Sequence, residues 1–124
     1  MKLRRRLAQL PLDPAARRCL YEQLLAVAAA DGVVGDIEEH LIERLLPRAG
    51  AAAAASSLDP LWPHAELVLT ACIYVAVSDG AYGVEEARHV SQLAHSLGMG
   101  AAQLSELEAR VFAELATRGA TAGA

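Results

Sequence analysis

From residue 14 onward, apolar side chains recur every three or four positions, the period of helices with one buried face. Asp13-Pro14 is a helix start, an Asp cap followed by Pro at the first helical position. Ala16, Leu20, Leu24 and Val27 continue the stripe until Asp31-Gly32 interrupts it. A second helix is predicted from about Asp36 to Leu46, with Ile37, Leu41 and Leu45 inward, ended by Pro47 and Gly50. Residues 48–62 carry no clear period; the run Ala51 to Ala55 favours a short helix or turn, with a mobile linker as the alternative. A third helix starts at Asp59-Pro60 or Pro63. It is apolar on every side between Leu67 and Val77, as a central helix must be. Asp79-Gly80 stops it. A fourth runs from Val84 to Leu97 with Val84, Ala87, Val90, Ala94 and Leu97 inward, closed by Gly98. Gly100 and Gln103 cap a last helix that buries Leu104, Leu107, Val111 and Leu115.

No segment alternates as a strand does, so the expected fold class is all-α: a single compact bundle of five or six helices. Composition agrees. Of 124 residues 54% are hydrophobic, many of them Ala, and only 4% are aromatic, which suits closely packed helices better than a sandwich. The net charge of -4 disfavours nucleic acid as a partner, since phosphate binding needs a basic surface. The start, Met1-Lys2-Leu3-Arg4-Arg5-Arg6, is basic like a signal peptide, but Gln9, Pro11 and Asp13 interrupt any apolar region after it. The longest apolar run is shorter than the roughly 20 residues a membrane span needs. Cys19 and Cys72 show no CxxC spacing and are expected as reduced core residues. Together these features predict a soluble, cytoplasmic protein. Its organisation is read as a basic arm at 1–12, a helical domain at 13–118 and a frayed tail at 119–124.

The chain also repeats. Shifted by 48 positions, Val27 to Gly35 lies over Val75 to Gly83, so that Asp31-Gly32 matches Asp79-Gly80, Glu38 matches Glu86 and Gly50 matches Gly98. Each unit is a helix, an Asp-Gly turn and a second helix. Gly32 and Gly80 suit the left-handed backbone of a tight reversal. Gly35 and Gly83 stand where the next helix is capped, and Glu38 and Glu86 fall at the acidic place of a capping box three residues on. These four carboxylates can therefore be simple turn builders.

The twin pattern Asp-Gly-x-x-x-x-x-Glu after an Ala-rich helix, Asp31-Gly32 to Glu38 and Asp79-Gly80 to Glu86, resembles the tellurite-resistance TerB-like family over roughly Leu20 to Leu115. The family often has Ser or a similar cap where this chain has Gly35 and Gly83. The resemblance implies an all-helical, non-enzymatic module of bacterial tellurite, phage and colicin resistance systems, with relatives attached to DnaJ-type co-chaperones and membrane-associated proteins. It also implies an acidic surface that binds divalent cations, with Asp31, Glu38, Asp79 and Glu86 as the metal-site residues and Ca²⁺ as the candidate ion. The partners implied are proteins of a stress-response assembly, with peripheral contact to membrane-associated proteins. The alternative is a metal-free protein-interaction or co-chaperone-type domain.

Other chemistry is thinly represented. Neither Asp-Gly turn has the twelve-residue EF-hand spacing. Glu86 and His89 form an ExxH of the kind di-iron bundles use, but Leu41 replaces the second histidine in the first repeat. His40, His64, His89 and His95 have no HExxH spacing, no serine sits in GxSxG, and no GxxxxGK loop exists. The basic residues Lys2, Arg4, Arg5, Arg6, Arg17 and Arg18 are expected on a solvated face, or against an anionic surface or acidic partner.

Overall fold

The computed structural model describes residues 2–30, 32, 35–47, 49, 57–78 and 82–123, without the side chains of Lys2 and residues 117–123. It is all-helical, a bundle of six α-helices: α1 (Lys2–Ala8), α2 (Pro14–Ala28), α3 (Asp36–Leu45), α4 (Ala65–Ala76), α5 (Val84–Ser96) and α6 (Ala101–Gly123). A 3-10 segment, Asp59–His64, leads into α4. The Ala51 to Ala55 run lies outside the described residues.

Helix α4 is the axis. Leu67, Val68, Leu69, Ala71, Cys72, Ile73, Val75 and Ala76 are all buried, because α1, α2, α3, α5 and α6 each pack against it. A helix apolar all round is stable only when neighbours surround it, and here they do. Its lead-in holds Pro60 in the first turn, where the missing N–H costs nothing, and Pro63 further in, which has no N–H to give a preceding carbonyl. Cys19 and Cys72 are both free and buried.

The local caps are those the sequence specifies. The Asp13 carboxylate accepts the Ala16 N–H at 2.8 Å, and the Gln103 side chain accepts the Gly100 N–H at 3.0 Å. Gly98 has φ +79°, with its own N–H on His95 O and the Met99 N–H on Ala94 O, the paired bonds of a Schellman ending. Its missing Cβ also matters: one would stand 2.5 Å from Trp62 Cζ2, so the indole lies directly on this turn.

Three features add to or depart from the expectations. The predicted arm contains α1, whose Leu3 and Leu7 are buried in the core, while Arg4, Arg5, Arg6 and Ala8 are exposed. Helix α6 runs on to Gly123, past the start of the expected frayed tail. The first turns of α3 and α5 also face differently from the predicted stripes, while Leu45, Val90, Ala94 and Leu97 are buried as expected. Helix α3 buries Glu38, Ile42 and Leu45 and leaves Ile37 67% exposed; α5 buries Glu86, Val90, Leu93 and Ala94 and leaves Val84 75% exposed. In both helices the third residue, Glu38 or Glu86, is drawn inward by its cap, and an apolar residue of the same first turn, Ile37 or Val84, is turned out.

Candidate functional site

The described residues that flank the two repeat turns are arranged alike. Helix α2 ends at Ala28 and α3 begins at Asp36; α4 ends at Ala76 and α5 begins at Val84, so neither helix continues through its bend. Gly32 has φ +103°, a conformation that L side chains rarely adopt, with no atom within 4 Å of where a Cβ would be. Gly35 and Gly83 precede their helices in extended backbone, φ -76° and -70°. The Glu38 Oε1 accepts the Gly35 N–H at 3.1 Å, and the Glu86 Oε1 accepts the Gly83 N–H at 2.9 Å. Each carboxylate thereby satisfies a donor that the first turn leaves unpaired, and its charge lies at the positive end of the helix macrodipole.

Glu38 is 4% exposed and Glu86 3%, the two buried charged residues among those described. A buried carboxylate is tolerated where hydrogen bonds replace its lost hydration. Of the four metal-site candidates, Asp31 and Asp79 lie outside the described residues. Glu38 and Glu86 belong to different hairpins and each spends an oxygen on its own cap. Among the described residues no group of three or more His, Cys, Asp or Glu is placed to hold a metal ion.

The hairpins are tied by paired tyrosine–carboxylate bonds that sequence periodicity does not signal. The Tyr21 hydroxyl donates to Glu43 across α2 and α3 at 2.7 Å. The Tyr82 hydroxyl donates to Glu108 of α6 at the same distance, its ring edge-on to Phe112 at 5.5 Å. The Glu43 hydrogen bond, followed by burial, holds the Tyr21 phenol above its ordinary pKa. Burial, followed by the Glu108 bond, raises that of Tyr82. His89, on α5, has its Nε2 buried with no hydrogen-bond partner among the described residues, and burial lowers its pKa.

Arg17 is the other residue missed from sequence. Its guanidinium does not lie on a solvated face but closes the end of α1, donating to Leu7 O at 3.1 Å, Ala8 O at 3.2 Å and Leu10 O at 2.8 Å. The partners are seven to ten residues away, beyond any local helix rule. A cleft of about 390 Å³ opens beside it, framed by Arg4 and Arg17 and floored by Leu45 and Leu46. A smaller one of about 70 Å³ lies on the other side of α1, where Arg6 meets Thr70, Tyr74 and Glu114.

No helix of the described residues is long and apolar enough to cross a membrane. Comparison of the chain with protein-family models, with curated proteins and with solved structures returns no match in any of the three.

Proposed function

We propose that this chain is a non-enzymatic, TerB-like helical module that joins a bacterial stress-response assembly through protein contacts. The observation that carries the proposal is the repeated cap: Glu38 and Glu86, 48 positions apart, occupy the same buried place after matched turns. These are the acidic positions on which the resemblance to the family rests. The same capping role taken by a glutamate in both units supports the repeat on which that resemblance rests.

The cation in this proposal belongs to the aspartates. With Glu38 and Glu86 engaged by backbone amides, Asp31 and Asp79 are the candidate ligands, completed by carbonyls and water because a hard cation takes six to eight oxygens. An ion that binds the folded chain alone raises its stability, by about 2.7 kcal/mol at a hundred times the dissociation constant. Thermal melts in Ca²⁺ and in chelator are expected to differ for the unaltered protein and to coincide for Asp31→Asn with Asp79→Asn. Melts of the unaltered protein that coincide would reject the cation and leave the metal-free interaction domain. That second version is favoured by the caps themselves, which explain both glutamates without an ion. The stress-response assignment has its own test. Deleting the gene should lower survival of its host under tellurite, and the tagged protein should recover the same partners with and without chelator. Unchanged survival would remove the family-based role.

A further inference from the structure

Charge is divided sharply along this chain. Residues 1–18 carry a net +5, and the remainder carries -9. Arg4, Arg5 and Arg6 are exposed on α1, and none enters an ion pair among the described residues. They are not a mobile fringe, because Leu3 and Leu7 anchor their helix in the core and Arg17 caps it. Arg4 stands at the mouth of the 390 Å³ cleft, whose walls are Ala8, Leu45, Leu46 and Pro47. A cleft with apolar walls under a guanidinium fits an apolar side chain flanked by carboxylates.

The opposite end of α3 presents such a group. Ile37 is 67% exposed, and the neighbouring Asp36 and Glu39 are exposed and in no ion pair among the described residues. Cleft and projection stand at the two ends of one ten-residue helix, about 15 Å apart, so one molecule cannot fill its own cleft. We propose that the protein associates head to tail with a second copy of itself, the Asp36-Ile37 turn of one copy entering the Arg4-framed cleft of the next. A membrane fits less well. Arg4 and Arg6 border clefts on opposite sides of α1 rather than one plane, and the acidic remainder is repelled by anionic lipid.

The contact is heterologous, so it adds copies in a row instead of closing a two-fold dimer. One side chain in one cleft falls well short of the roughly 1,000 Å² of a stable interface, so the association is weak and salt-sensitive. This inference does not depend on the family-based role; the survival assay leaves it untouched.

Sedimentation equilibrium tests it. At about 50 mM salt the average mass is expected to climb with concentration up to about 1 mM protein, and to fall back toward the monomer at about 500 mM salt. Arg4→Glu and Ile37→Asn should each weaken association about tenfold or more. Both positions are exposed, and circular dichroism checks that both variants fold. The decisive sample is their equimolar mixture. Arg4→Glu retains the projection and Ile37→Asn retains the cleft, so the mixture should form one-to-one pairs and nothing larger. A wild-type protein monomeric throughout, a variant that associates as wild type does, or a mixture that stays monomeric would each overturn the proposal.

Discussion

Glu38 and Glu86 sit where an apolar stripe would ordinarily continue, and their inward position turns Ile37 and Val84 outward. Glycine works in two distinct ways in this molecule. At Gly32 only the backbone matters: φ is +103° and the surroundings are open. Gly32→Ala should cost about 1–2 kcal/mol, the strain of placing a Cβ in left-handed backbone. At Gly98 the same strain at φ +79° is joined by collision with the Trp62 ring. That indole is half exposed and can swing aside, so its lost packing adds only about 1 kcal/mol. Gly98→Ala should therefore destabilise more than Gly32→Ala and shift tryptophan emission to the red. The cost of Gly98→Ala should shrink in a Trp62→Phe background, as urea denaturation of the single and double variants beside the unaltered protein would show.

Among the helices, α1 is the one whose existence depends most on its surroundings. Seven residues are too few for a helix to persist alone in water. Burial of Leu3 and Leu7 and the three carbonyl bonds from Arg17 supply what propensity does not. Arg17→Met keeps the aliphatic stem but removes those bonds, and should cost about 1–3 kcal/mol. Hydrogen exchange should show α1 amides losing protection first, with α4 unchanged; equal loss everywhere would mean that α1 does not open separately. The same contrast explains what the sequence alone made legible. Asp13, Gly98, Gln103, Glu38 and Glu86 act within a few residues of themselves, so their spacing announces them. So does α4, whose composition requires it to be surrounded. Arg17 on α1, Tyr21 on Glu43 and Tyr82 on Glu108 act across 7 to 26 residues, and local periodicity carries no trace of them. The stripes of α3 and α5 differ from the structure in their first turns, because hydropathy ranks Ile37 and Val84 as core and both glutamates as surface. A cap bond outweighs that ranking in a helix's first turn. Of the candidate metal site, the two glutamate positions were legible as caps; the two aspartates lie outside the described residues.

For the whole molecule, acid should loosen the fold through His89. Its ordinary pKa is 6.5, and burial lowers it in the folded protein. On acidification the unfolded chain takes up this proton before the folded chain does. The stability due to the neutral ring is thus fully present above about pH 6.5 and is lost as pH falls through the depressed folded value. Urea midpoints at about pH 7.5 and about pH 5 should differ less in His89→Gln than in the unaltered protein. An identical difference in both would assign the acid sensitivity to other groups. Tyr21 and Tyr82 act at the other extreme. Their raised folded pKa values give stability that is complete below about pH 10 and lost as pH rises through the folded values.

Cys72 lies fully buried at the centre of α4, its thiol pushed up to about 12 by burial. Only a thiolate attacks an alkylating reagent at a useful rate, and this one is both scarce and out of reach. It becomes reactive when the helices around it part. The protein thus contains its own gauge: the pace at which a maleimide consumes Cys72 in plain buffer tracks the openings of the bundle that bring this thiol into reach.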